Sequence, residues 1–182
     1  MRIISKTIAF LNQLKYTIVK GSGCVKKLKI YLDTSVFGCL NQTDSPDRMA
    51  DTLALWEQIK AGEYQVFISE VTTRELMNCS EPKRSIMADY LNEINFDILT
   101  VNSEINELAQ EIIKRGILTP KSIDDCTHIA AAIINNCDII ISWNFKHLVN
   151  IKTINGVRAI TVSNHYKPID IYAPSVLLKG DE

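Results

Sequence analysis

Short, continuously apolar runs alternate along the chain with longer stretches whose apolar residues recur every three or four positions, the spacing of one helix face. Residues 28–32 read as a first strand ending on Asp33-Thr34-Ser35. Ser45-Pro46 supplies an N-cap followed by proline at the first helical position, so a helix is predicted through Leu53, Trp56 and Ile59 to Gly62, with Trp56 as a core anchor. Residues 64–68 form a second strand, after which Ser69 caps a helix carrying Glu75. A helix after Pro82 carries Ile86, Tyr90 and Leu91, and residues 96–101 read as a third strand. Asn102 caps a helix with Ile105, Leu108 and Ile112 on one face, which Gly116 ends. Ser122 opens the next helix, with Ile123, Cys126, Ile129 and Ile133 apolar. A short buried strand at 138–142, a helix at 151–162 despite Gly156, and a last strand at 169–172 complete the pattern.

Strands that are apolar throughout, rather than alternating, are buried on both faces. Alternation with helices therefore predicts an α/β fold: three layers, α/β/α, around a mostly parallel central sheet. Residues 1–24 stand apart. Ile8, Leu11, Leu14 and Ile18 have amphipathic spacing, but Gly21-Ser22-Gly23 interrupts it, and a start at Val25 would leave an ordinary domain. Asn12, Gln13 and Lys15 break the apolar stretch that a secretory signal would need.

A chain of 182 residues, 46% hydrophobic with 26 isoleucines, has the material for one domain with a substantial core. Its 12 glycines and prolines are too few for a collagen-like or low-complexity chain. No apolar run reaches the roughly 18 residues of a membrane span, so no membrane partner is expected. The five cysteines are scattered without a CxxC pair, which argues against a disulfide framework or a structural zinc site and fits a reducing compartment, the cytoplasm. Charge is nearly balanced, 20 bases against 21 acids, but unevenly spread. Residues 1–32 hold seven bases and no acid, leaving 13 bases against 21 acids beyond them. A nucleic-acid partner would need a local basic rim on that acidic background.

In an open parallel sheet, ligands bind outside the carboxyl ends of the strands. Asp33 follows the first strand, Glu75 lies in the helix after the second, Asp125 opens the helix before the fourth, and Asn144 follows the fourth. Carboxylate oxygens suit Mg²⁺ or Mn²⁺, and no soft-ligand cluster competes. A divalent ion relieves the repulsion of clustered acids, lowers the pKa of a bound water and screens charge on a phosphate, which points to phosphodiester hydrolysis. Each residue also has an ordinary reading: Asp33, Asp125 and Asn144 as caps, Glu75 as a solvated helix residue. Asp124 rivals Asp125. His128, three residues after Asp125, fits a satisfied core or supporting group better than a ligand. Thr34 and Ser35 can position a carboxylate through their hydroxyls, and Lys121, Lys146, His147, Arg48 and Arg74 are candidates for a phosphate-binding rim.

Taken together, residues 30–37, the segment Ile68-Ser69-Glu70-Val71 leading to Glu75-Leu76, residues 125–132 and residues 141–148 resemble the PIN-domain nucleases, especially VapC-like toxins of toxin–antitoxin systems. Residues 166–174 are similar to that family's last strand. The resemblance divides the chain into a basic N-terminal extension at 1–27, a PIN-like nuclease domain at 28–178 and a short polar tail at 179–182. It implies an α/β/α domain that gathers Mg²⁺ or Mn²⁺ on Asp33, Glu75 and Asp125 and cleaves RNA. The fourth position, often Asp in the family, is Asn144 here, so one formal charge is missing and a second metal would be held less strongly. The resemblance further implies a small antitoxin partner and a homodimer.

Other classes fare worse. A catalytically inactive PIN-fold RNA-binding or partner-binding protein is the main alternative. A phosphatase of the haloacid-dehalogenase kind needs a second Asp two residues after the nucleophilic one, where this chain has Ser35. No GxGxxG follows the first strand, and neither GxxxxGK[ST] nor GxSxG occurs.

Overall fold

The computed structural model describes residues 26–178. The amphipathic spacing at 8–18 and the tail at 179–182 lie outside the described residues. The strands β1 (Leu28–Leu32), β2 (Tyr64–Ser69), β3 (Asp97–Leu99), β4 (Ile139–Ile141) and β5 (Asp170–Tyr172) form one sheet, parallel throughout, in the order β3-β2-β1-β4-β5. Helices α1 (Thr34–Cys39), α2 (Pro46–Lys60), α3 (Glu70–Met77), α4 (Lys83–Asn92), α5 (Ser103–Lys114), α6 (Ile123–Ile134) and α7 (Ile151–Ser163) connect and cover it.

Side chains alternate across a strand. Ile30, Leu32, Ile139 and Ile141 enter one core with α1, α2 and α4, while Tyr31 and Ile140 enter another with α5, α6 and α7. Both sheet faces are therefore dry, as the unbroken apolar strands require. Trp56 of α2 is 1% exposed and packs edge-on to Phe37 at 5.8 Å and to Tyr90 at 6.0 Å. Truncating it to alanine would cost about 3–5 kcal/mol through the cavity left behind. No described helix is long and apolar enough to cross a membrane.

Several local outcomes depart from the sequence reading for physical reasons. The segment after Asp33 is a helix, α1, whose N-cap is Asp33 itself; its Val36 and Phe37 are buried, so tertiary packing sustains six residues that propensity alone would not. β3 is confined to Asp97–Leu99 because, at the sheet edge, it pairs only with β2. Ser122 closes a 3₁₀ turn (Pro120–Ser122) with ψ of 33°, not extended, and its side chain makes no cap bond to α6. Gly116 ends α5 at φ +68, as its placement suggested. Gly156 permits close approach: a Cβ there would lie 2.7 Å from Ile117 Cγ2.

The chain leaves β1 for β2 and β3 on one side and reaches β4 and β5 on the other. The crevice of such a sheet lies at this switch, between the carboxyl ends of β1 and β4. Asp33 occupies it, its N–H donating to the Ile141 carbonyl at 3.0 Å.

Candidate active site

Asp33 is 5% exposed and strongly oriented. Its Oδ2 accepts hydrogen bonds from the hydroxyls of Ser35 at 2.5 Å and Ser142 at 2.7 Å. Each hydroxyl oxygen in turn accepts a backbone N–H, from Trp143 into Ser35 and from Asn144 into Ser142, both at 2.9 Å. The two hydroxyl hydrogens are thereby committed to the carboxylate. That arrangement fixes the direction of the carboxylate, whose other oxygen, Oδ1, accepts no hydrogen bond among the described residues.

Glu75 comes from α3. Thr34, at the start of α1, donates its hydroxyl to Glu75 Oε2, and Nε2 of His128 approaches the same oxygen at 3.2 Å. Burial works against ionising Glu75, but the hydrogen bonds from His128 and Thr34 and the charges of His128 and Arg74 outweigh it and hold the carboxyl below its ordinary value. His128, on α6, is 1% exposed, and its Nε2 also lies 3.6 Å from Asp33 Oδ1. Its Nδ1 meets the Tyr31 hydroxyl at 2.6 Å, and that hydroxyl lies 2.7 Å from Ser69 Oγ. Burial opposes an imidazolium here, yet Tyr31, Glu75 and Asp33 together keep the group well above the usual histidine value.

Asp125 opens the same helix one turn earlier. Its Oδ1 accepts from Asn144 Nδ2 at 2.8 Å, while Asn144 Oδ1 accepts the His147 N–H at 3.0 Å. Asn144 thus turns its donor, not its oxygen, toward the acid. Burial pushes the Asp125 carboxyl up; His147 and His128 pull against this and the negative Asp33 adds to it. Asp33, Glu75, Asp125 and Asn144 line one open cavity of about 570 Å³, with Thr34, Ser35, Asn78 and Cys79. One atom each from Asp33, Glu75 and His128 lie within 4.8 Å of one another, with Asp125 outside that set.

Asp124 does not join the cavity; it pairs with Arg74 at 2.6 Å, both about half exposed. Arg74 is engaged in that pair, and its charge also reaches Glu75. Lys121 and Lys146 are exposed, whereas the Ser122 hydroxyl faces His147 Nδ1 at 3.4 Å. The sequence reading did not single out Tyr31 or Ser142. Their signal is present: each is a polar group in an otherwise aliphatic run beside Asp33 or Asn144.

The donor chemistry suits a hard divalent cation. The cavity offers carboxylate oxygens from three acids, of which Asp33 Oδ1 and Glu75 Oε1 accept no hydrogen bond among the described residues, with one imidazole beside them.

Residues 30–146 match the PIN domain family. No curated protein matches the chain in sequence. Among solved structures, the chain is similar to the crystal structure of VapBC2 from Rickettsia felis bound to a DNA fragment from their promoter. That likeness has 13% identity and a TM-score of 0.49, and it covers 80% of this chain and 98% of that one.

Proposed function

The chain belongs to the PIN domain family, and from that premise we propose that it is a divalent-metal-dependent endoribonuclease that hydrolyses RNA phosphodiester bonds. The observation that carries this reading is the convergence of Asp33, Glu75 and Asp125 on one open cavity at the switch point of the sheet. Asp33, Glu75 and Asp125 would hold Mg²⁺ or Mn²⁺. Such an ion, when bound, supplies a more acidic water and charge neutralisation at a phosphate. Ser35 and Ser142 fix the direction of Asp33, Thr34 and His128 hold Glu75 in place and ionised, and Asn144 orients Asp125. Lys146 and Lys121 contact neighbouring phosphates from the rim, so substrate binding weakens with salt.

The motif set at 30–37, 125–132 and 141–148 further supports a role as the toxin of a toxin–antitoxin pair, restrained by a small antitoxin and acting as a homodimer in the cytoplasm. Asn144 in place of a fourth acid supports a second reading, an inactive RNA- or partner-binding protein. The two separate in one experiment: wild type and Asp33→Asn are incubated with a mixed RNA panel in Mn²⁺, Mg²⁺ or EDTA. The nuclease reading expects cleavage only by wild type with metal, with both proteins folded. Cleavage that persists in Asp33→Asn defeats the site assignment. A wild type that neither cleaves nor gains thermal stability from Mn²⁺ favours the inactive binder.

A further inference from the structure

Helix α3 is a wall of two cavities. Glu75 lines the acidic one, while Leu76 and Met77 line a second, of about 200 Å³, which α4 bounds with Ala88 and Leu91 and the sheet edge with Phe96 and Ile98. The polar groups on its wall are engaged elsewhere. Arg84 pairs with Glu81 at 2.7 Å and donates to the Met77 carbonyl at 3.3 Å, and the Thr73 hydroxyl donates to the Ser69 carbonyl at 3.3 Å. The groove therefore presents hydrocarbon. Met77 is 66% exposed and Ile98 53%. Ile98 belongs to β3, which pairs with β2 alone and leaves its outer edge open among the described residues. Exposed apolar side chains gathered at an open sheet edge mark a surface that another segment covers.

The described chain begins beside this surface. Lys26 and Lys27 line a further cavity with Phe96 and Asp97, and Phe96 is common to that cavity and the apolar groove. Asp97 stands opposite Phe67, and Phe67 opposite Tyr31, five residues beyond Lys26. At about 3.3 Å per residue and about 4.8 Å per strand, Asp97 is then about 19 Å from Lys26. Residues 19–25 span up to about 25 Å when extended, so Ile18 can reach the Phe96 end of the groove. Ile8, Leu11, Leu14 and Ile18 recur every three or four positions, the pattern by which an amphipathic segment fills an apolar groove. A helix over 8–18 would measure about 16 Å. Charge agrees: residues 1–25 hold Arg2, Lys6, Lys15 and Lys20 and no acid, and Asp97 is exposed between Phe96 and Ile98. The other segment outside the described residues, Lys179-Gly180-Asp181-Glu182, has no apolar side chain to offer.

We propose that the apolar residues of 8–18 dock in this groove, cover Met77 and Ile98, and brace α3, the helix that carries Glu75. The N-terminal segment is then a working part of the domain, whatever chemistry the acids perform.

The test uses the full chain in three variant forms: Leu11→Gln with Leu14→Gln, Met77→Gln with Ile98→Thr, and all four together. Without docking, substitutions at side chains as exposed as Met77 and Ile98 change stability little. With it, each pair lowers the melting temperature, and the fourfold variant melts no lower than the worse pair, because both pairs break one contact. Amide hydrogen exchange in 8–18 becomes about tenfold faster when the groove is altered, and exchange in β3 and the end of α3 rises likewise when Leu11 and Leu14 are altered. Melting shifts that are additive or absent, or exchange in 8–18 that ignores the groove variant, overturn the proposal. A melting temperature and a sedimentation mass that fall on dilution, and that respond to Met77→Gln with Ile98→Thr but not to Leu11→Gln with Leu14→Gln, also overturn it and mark the groove as a contact between two copies of the chain.

Discussion

The hydroxyl of Tyr31 stands 2.6 Å from Nδ1 of His128, a residue 97 positions away, and the two rings meet edge-on at 5.8 Å. This contact fixes which way the imidazole points. With Nδ1 committed to the phenol, Nε2 is left facing Glu75 and Asp33. A strand residue buried in the core thereby sets the orientation of a buried group that contacts the acids of the cavity.

Tyr31→Phe keeps the ring and removes the hydroxyl, leaving His128 Nδ1 and Ser69 Oγ each without this partner in a dry environment. Losing a partner for a buried polar group costs about 1–3 kcal/mol. Urea unfolding should show a midpoint lowered by that free energy divided by the slope, with the slope unchanged. An unaltered midpoint would mean that the contact contributes nothing to stability.

The metal-free protein should lose stability toward alkaline pH. His128 is held well above 6.5 in the folded state, so its contribution is complete below about pH 6.5 and is lost as pH rises through the folded value. Glu75 has the opposite sign: its contribution is present above its ordinary 4.5 and disappears as pH falls through its depressed folded value. Melting temperatures in EDTA across this range should fall on the alkaline side, and His128→Gln should flatten that side while also weakening the acid-side contribution of Glu75, whose carboxyl His128 helps to hold down.

Asn144→Asp replaces a donor by an acceptor beside Asp125. Without metal, two carboxylates then share a half-buried site, and stability should drop by about 1–3 kcal/mol. The gain in melting temperature on adding Mn²⁺ should exceed that of wild type, because the ion relieves a larger repulsion. A smaller gain would show that position 144 does not face the ion.

Gly156→Ala drives a methyl group to 2.7 Å from Ile117 Cγ2, in a packed part of the core. Overpacking of this kind costs typically about 1–3 kcal/mol. Combining it with Ile117→Ala removes the clash, so the double variant should be more stable than additivity predicts, as a thermodynamic cycle would reveal.

The strand and helix order was largely legible because parallel strands buried on both faces write themselves as apolar runs, as Ile139–Ile141 does between Asp138 and Ser142. Helix α1 was not, since its six residues depend on Val36 and Phe37 finding the α2 core. The acids were legible from their places at strand and helix ends. Their geometry was not: nothing in the spacing of Asp125 and His128 tells that the imidazole meets Glu75 and Asp33, while the carboxylate meets Asn144. Ser122 was legible as the residue that opens α6, but not that its hydroxyl faces His147 in place of a cap bond.

Asp33 and Ser142 are 109 residues apart in the chain, and β1 is completed on that side only when β4 slots in beside it. Contacts of such long sequence separation are slow to form. A polypeptide still being translated therefore carries Asp33 and Glu75 long before it carries the elements that aim them. The cavity that gathers Asp33, Glu75 and Asp125 is therefore complete only once the residues through Asn144 have emerged from the ribosome.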